Sequence, residues 1–347
     1  MNEQRKTDNA LLDNMDRFRM SRALGHVYVY LTRPVFERYG MAGETAIRQA
    51  LRAFGRYRGQ RWRKWHQEEG LPLNLESFIT FVDIDSTRGC GGYNPETIID
   101  PCYVEFQTTH CPLHEVCREN DFEHWGYIYC DEMHFEIMKV YQPKAIIEIH
   151  ENLMKRDPGC HFYLMMPSLT PEDEIDRTPL RALAERNEKD PVGFTRFMLH
   201  REGIQVGMLY YFLARAVIDR FGAEGRSLVT ESLQGMGARM GREIKANLEK
   251  AGLQTSWEAI WNNFPLAYKY AWGMKPEETG DERVFLAEMT GCPLAEVWGE
   301  IGDKELGPLY CRTIYPAIFR ELSPAAEIST PRCQSKGDTA CRFEFRI

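Results

Sequence analysis

Nowhere in the 347 residues do roughly eighteen apolar residues run together, so the chain offers no candidate for a membrane-spanning helix. The opening MNEQRKTDNALLDNMDRFRM carries charges throughout and lacks an apolar h-region, which argues against a secretory signal. Basic residues are in deficit: Lys and Arg number 43 against 51 Asp and Glu, a net charge of -8. That sign suits neither a nucleic-acid backbone nor an anionic membrane surface. No CxxC pair occurs, which removes the zinc-ribbon and thioredoxin signatures. Ten cysteines in a chain of this length are too few for a disulfide scaffold, and without a secretory signal they read as reduced thiols. The absences together point to a cytoplasmic protein with a small-molecule substrate and with neither nucleic acid nor membrane as partner. They leave a homo-oligomer open.

What the chain does have is an internal repeat. The stretch from Cys111 to Cys160 returns near the C-terminus at a constant offset of 181 residues, through Cys111/Cys292, Gly126/Gly307, Cys130/Cys311, Pro143/Pro324, Cys160/Cys341 and Phe162/Phe343. Upstream the offset is 182, through Arg33/Arg215, Gly40/Gly222, Gly55/Gly237, Gly59/Gly241 and Gly70/Gly252. Each copy reads as helix, Gly turn and long helix, then a strand (103 to 109, 284 to 290), two helices and a closing hairpin. The predicted fold is α+β: two homologous modules, each with helices followed by a small antiparallel sheet, related by a pseudo-twofold. The expected organisation is a first module over 1–166, a polar, Pro-bearing linker over 167–195 and a second module over 196–347. Two further expectations attach to the long helices. Their GxxxG pairs suggest close backbone approach, either to each other at the junction of the halves or with each helix packing on its own sheet. The basic run Arg52 to Lys64 reads as a solvated face, with a carboxylate pocket as the alternative. Residues 86–102, rich in Gly and Pro, read as a lid or a surface excursion.

Six of the nine histidines lie between residues 110 and 161, and their counterparts in the second copy are Gly291, Ala295, Glu305, Tyr315, Pro331 and Arg342. Imidazole exchanges protons near neutral pH and ligates metals. Its confinement to one copy puts the working site in the first module, with the second as scaffold. On the helix from Tyr127, Cys130 and His134 are i,i+4 neighbours and Asp131 and His134 are i,i+3 neighbours, the spacing of a base, an orienting carboxylate and a thiol on nearly one face. Catalytic candidates are therefore Cys130, Asp131, His134 and Cys111. Metal-ligand candidates are His110, His134, Glu148 and His150, for a divalent ion such as zinc; the cofactor itself is not legible. The repeated cysteines can equally be well-packed small thiols.

The pattern CPL, then Gly and Cys on a helix, then Pro, then KGDxxCxFxF stands here as Cys292, Gly307, Cys311, Pro324 and Lys336 to Phe345, and in the first copy as Cys111 through Phe162. It resembles the L-2-amino-thiazoline-4-carboxylic acid hydrolase family in two tandem copies, and its closing motif is more distantly similar to 4-vinyl reductase-type ligand-binding domains. The resemblance implies a hydrolase opening a small cyclic C–N-bonded substrate, of amidine or thiazoline type, by water. Two alternatives stand beside it: a non-enzymatic small-molecule binding or carrier protein, and a reductase accessory protein.

Overall fold

The computed structural model describes residues 14–83, 97–167, 175–256, 259–260, 264, 272–277, 279, 281 and 284–346, with side chains from Met20 onward. Most of the Gly- and Pro-rich stretch at 86–102, Cys90 included, lies outside the described residues.

The first copy runs α1 (Asn14–Glu68), α2 (Leu75–Thr80), β1 (Ile98–Ile99), β2 (Tyr103–Thr108), α3 (Pro112–Glu119), α4 (Glu123–Tyr141), β3 (Ile146–Glu151) and β4 (Cys160–Met165). After it come α5 (Thr178–Lys189) and α6 (Pro191–Lys250), then β5 (Met274–Glu277), β6 (Val284–Met289), α7 (Pro293–Ile301), α8 (Leu306–Leu322), β7 (Glu327–Arg332) and β8 (Cys341–Arg346). Both sheets are four-stranded and antiparallel, ordered β1-β2-β4-β3 and β5-β6-β8-β7. The chain is thus two α+β modules, as the pattern predicts. The edge strands β1 and β5 escape sequence reading because they are short and largely exposed.

Local chemistry explains the elements. Gly40 (φ 51°) breaks α1 and Gly222 (φ 60°) breaks α6 at the matching place, a conformation that costs a residue without Cβ little. Pro112 and Pro293 open α3 and α7, where a missing N–H is no loss, with Cys111 and Cys292 as the capping residues. Strand period 2 sends Cys160, Phe162 and Leu164 into the core and leaves His161, Tyr163 and Met165 half-buried.

The chain forms two compact units: residues up to Gly25 with Arg48–Glu202, and His26–Ile47 with Gly203–Ile347. This division differs from a cut at 167–195. Within the second unit Tyr39 stacks on Phe221, its own repeat counterpart, with centroids 3.7 Å apart. In the first unit the stretch read as linker folds into α5, buries Leu180 and Leu183, and is tied back by Arg177–Glu76 (2.8 Å) and Arg186–Glu69 (2.8 Å).

The GxxxG pairs serve packing inside each copy. A Cβ on Gly55 or Gly59 would stand 2.7 Å from the carbonyl oxygens of Met133 or Ile137 on α4, and one on Gly237 or Gly241 would stand 2.6 or 2.3 Å from those of Ile314 or Ile318 on α8. The expectation that they bring the two long helices together is thereby replaced. The basic run is a solvated face only in part: Arg52, Arg56 and Lys64 are exposed and Arg58 is buried. Arg48 and Arg52 bind Glu132 (2.7 and 2.5 Å), Arg56 binds Glu136 (2.9 Å), and Arg63 donates to the Tyr141 carbonyl (2.7 Å), a ladder joining α1 to α4. Burial raises Glu132, but the hydrogen bonds from Arg52 and Arg48 outweigh it and hold the carboxyl below its ordinary value. No helix among the described residues is long and apolar enough to cross a membrane.

Candidate functional site

Three residues of α1 at i,i+4 spacing, Arg58, Trp62 and His66, share one face and are buried. Arg58 makes a two-pronged ion pair with Asp83, Nε to Oδ2 at 2.8 Å and Nη2 to Oδ1 at 2.6 Å; the residues are 4% and 1% exposed. His66 stands 2.9 Å from the Phe81 carbonyl through Nε2 and 2.7 Å from the Tyr141 hydroxyl through Nδ1. A carbonyl only accepts, so Nε2 carries the proton and Nδ1 accepts from Tyr141. Trp62 donates to the same Phe81 carbonyl at 3.1 Å, and its ring stacks on Phe78 at 4.1 Å. Burial lowers His66 to about 4, a neutral imidazole over the whole physiological range.

This network adjoins the predicted residues on α4. Arg58 Nη1 lies 3.5 Å from the Met133 sulfur. His134, one residue on, is half-buried with its ring edge-on to Phe162 at 5.3 Å, and burial, helped by the Arg58 charge, lowers it to about 3. Asp83 acts weakly in the opposite sense. Tyr129, raised above the ordinary phenol value by burial, feels Arg58 and Asp83 on one side and Cys130 and Cys111 on the other. Cys130 in turn sits among Cys111, Cys160 and Cys117; burial first, and then those thiols, hold it well above the ordinary thiol value. Cys111 is raised and Cys160 is pushed up to about 12, in both cases by burial. At neutral pH these groups are thiols, not thiolates.

The structure therefore gathers Cys111, Cys130 and His134 into one neighbourhood and leaves the other candidates elsewhere. Asp131 does not orient His134; its carboxylate takes Lys155 at 3.2 Å, because i,i+3 spacing brings backbones near without fixing where a short side chain points. His110 pairs with Glu115 at 3.1 Å, and Glu148 with His150 at 2.8 Å on the exposed face of the sheet. The four metal-ligand candidates do not converge, and among the described residues no three His, Cys, Asp or Glu side chains could hold a metal ion together. Asn152, two residues beyond His150, caps the 3-10 turn Leu153–Lys155, its Oδ1 accepting from the Met154 N–H at 2.9 Å.

Sequence reading missed Arg58, Asp83, His66 and Tyr141. A signal was present: at the same offsets the second copy has Met240, Ile244, Leu248 and Leu322 for Arg58, Trp62, His66 and Tyr141, all buried. One fold closes the same space once with hydrocarbon and once with an ion pair, an imidazole and a phenol. Since buried ion pairs are often matched or bettered in stability by apolar residues of similar volume, the fold does not demand this polar set.

An open cleft of about 240 Å³ lies beside the network, lined among others by Trp65, Glu69, Arg186, Asp190 and Phe197. Trp65 is the sequence neighbour of His66, their rings 4.9 Å apart, but neither Cys130 nor His134 lines the cleft.

The L-2-amino-thiazoline-4-carboxylic acid hydrolase family matches residues 19–164 and again 201–345. The chain belongs to that family. Among curated proteins and among solved structures nothing matches. Each family segment spans one repeat, so the family frame includes the thiols of both copies, while the buried Arg58 and His66 and the half-buried His134 belong to the first segment only.

Proposed function

We propose that the protein is a hydrolase acting on a small cyclic C–N-bonded substrate of amidine or thiazoline type, and that the first module carries the reaction. The observation that supports this most is the exchange of Arg58, His66, Tyr141 and His134 for Met240, Leu248, Leu322 and Tyr315 between two copies of one fold. Its family membership supplies the reaction class. In this reading His134 is the general base. Its imidazole is already neutral at pH 7 and can take the proton of a water that adds to the ring's amidine carbon; the adduct then collapses with cleavage of the ring C–S bond, the proton passing to the departing thiolate, to leave the carbamoyl product. Cys130 and Cys111, held as thiols, wall the site, and water is the nucleophile. Arg58 and Asp83 are positioning residues behind Met133 and His134, fixing the local field in which the imidazole stays uncharged.

The test uses His134→Ala and His134→Tyr, the latter borrowing the residue of the second copy, with L-2-amino-thiazoline-4-carboxylate as substrate and mass spectrometry of the carbamoyl product. Loss of at least a hundredfold in turnover, with circular dichroism and melting point nearly unchanged, is expected. Full turnover in His134→Tyr would refute the assignment. Saturable binding of the ring by the wild-type protein with no product would favour a carrier instead.

A further inference from the structure

We propose that the cleft beside Trp65 binds a small zwitterion, a carboxylate and a protonated nitrogen on an apolar body, as in a free apolar α-amino acid. The cleft belongs wholly to the first unit. Trp65 and Glu69 line it from the end of α1, Leu183 and Arg186 from α5, Asp190 from the junction of α5 and α6, and Phe197 from the start of α6. Its volume of about 240 Å³ is below the roughly 300–1,000 Å³ of sites for drug-sized molecules, which suits a small metabolite.

An orphaned donor points to a ligand. Trp65 is 8% exposed, and its indole Nε1 is buried with no hydrogen-bond partner among the described residues. A buried indole N–H ordinarily finds an acceptor, and leaving it unmet is destabilising. Trp62, one turn earlier on the same helix, shows the ordinary case with its bond to the Phe81 carbonyl at 3.1 Å. The Trp65 ring is held in place: the Arg201 guanidinium lies 4.1 Å over it, and the His66 and Phe197 rings stand 4.9 and 5.6 Å away. The repeat does not require an indole here, since the second copy has Asn247 for Trp65 and Ala251 for Glu69.

Charge decides the class of ligand. Among the cleft's charged side chains, Glu69 and Arg186 share one hydrogen bond, Nη2 to Oε1 at 2.8 Å, which leaves the guanidinium with N–H donors to spare. Asp190 accepts the Gly193 N–H on Oδ1 at 2.9 Å and keeps Oδ2. A simple anion would satisfy Trp65 and Arg186 but leave Asp190 uncompensated. A simple cation would suit Asp190 and leave the indole donor unmet. A zwitterion serves all three: its carboxylate accepts from the Trp65 N–H and from Arg186, and its protonated nitrogen donates to Asp190. Its apolar body covers Leu183 and Phe197, the latter a large ring otherwise 40% exposed.

The experiment titrates the full chain with free L-phenylalanine by calorimetry, beside phenethylamine and 3-phenylpropionate, each of which keeps one of the two charges. Phenylalanine is expected to bind with a Kd below about 1 mM, and each single-charge analogue about tenfold more weakly or worse. Trp65→Phe, which removes the donor but keeps a ring, and Arg186→Met should each weaken phenylalanine about tenfold. Asp190→Asn, which keeps an oxygen for the Gly193 N–H, should bring phenylalanine and 3-phenylpropionate to similar affinity, a result that misfolding would not produce. The ring carboxylate of the proposed reaction has the same charge pattern and is titrated in parallel on His134→Ala, whose change lies outside the cleft. Binding of either ligand that weakens in Arg186→Met supports the site, and the tighter of the two names its source. Binding of neither at about 10 mM, a single-charge analogue as tight as phenylalanine, or wild-type affinity in Trp65→Phe would each overturn the proposal.

Discussion

Replacing Arg58 by methionine, the residue at the matching place in the second copy, takes from Asp83, a carboxylate with 1% exposure, its two-pronged guanidinium partner. With charge centres about 4 Å apart and an effective dielectric constant near 20, the attraction lost is about 4 kcal/mol. Truncating one member of a buried pair costs about 3–5 kcal/mol, since the survivor must stay desolvated or take up a proton. For a unit of this size, about 2–4 °C per kcal/mol translates that into a drop in melting temperature of about 10 °C at pH 7. The double variant Arg58→Met, Asp83→Leu removes both charges and should recover all but about 1–2 kcal/mol, because the second copy buries Met240 at the place of Arg58. Urea and thermal unfolding by circular dichroism on the wild type, both single variants and the double give the coupling energy directly. The same four proteins assayed for ring opening separate structure from function: the double should fold and yet turn over poorly. A single variant costing less than about 1 kcal/mol, or a double no better than the single, would refute the energetic argument, and a stable double with wild-type turnover would refute the functional one.

Acid sensitivity gives another test. The folded values of His66 and His134, about 4 and about 3, lie below the free imidazole value near 6.5, so the unfolded chain binds more protons between them. Stability contributed by keeping these rings neutral is complete above pH 6.5 and is lost as pH falls toward 4 and 3; His66→Leu should flatten the decline in melting temperature between pH 6.5 and 4. The same values predict that kcat/KM shows no break near pH 6.5, and an ionisation there that vanishes in His134→Gln would mean the base titrates normally. Gly59→Ala gains about 1 kcal/mol of helix propensity but drives a Cβ to 2.7 Å from the Ile137 carbonyl, so a net loss of about 1–2 kcal/mol is expected in urea unfolding. His150→Ala, removing half of an exposed pair, should leave the melting point within about 1 °C.

Much of the fold was readable because it rests on local rules repeated twice. Gly40 and Gly222 announce the breaks in the long helices, Pro112 and Pro293 the starts of α3 and α7, and alternation from Cys160 to Met165 a half-buried strand. The site was readable only where a single helix face carried it. Cys130 and His134 do share a neighbourhood, but Asp131, equally well spaced, turns to Lys155, and Asp83 sits 25 residues from Arg58 in a stretch where the repeat offset slips. Histidine counting over 110–161 drew attention to side chains that mostly pair with a nearby carboxylate, such as the half-buried His114–Glu123 at 2.9 Å and His161–Glu105 at 2.9 Å. His66, outside that window, has an apolar counterpart, Leu248, buried in the other copy.

By itself the sequence determined the duplication, the α+β class, the family, and which copy carries the extra polar cargo, because composition, spacing and repetition are properties of the chain that survive without coordinates. Tertiary structure alone decided which of those polar groups are withdrawn from water and what they meet there. Withdrawal is what makes Arg58 and Asp83 a coupled pair and keeps His66 and His134 uncharged, since burial and through-space partners, rather than residue type, fix the proton affinity of each group.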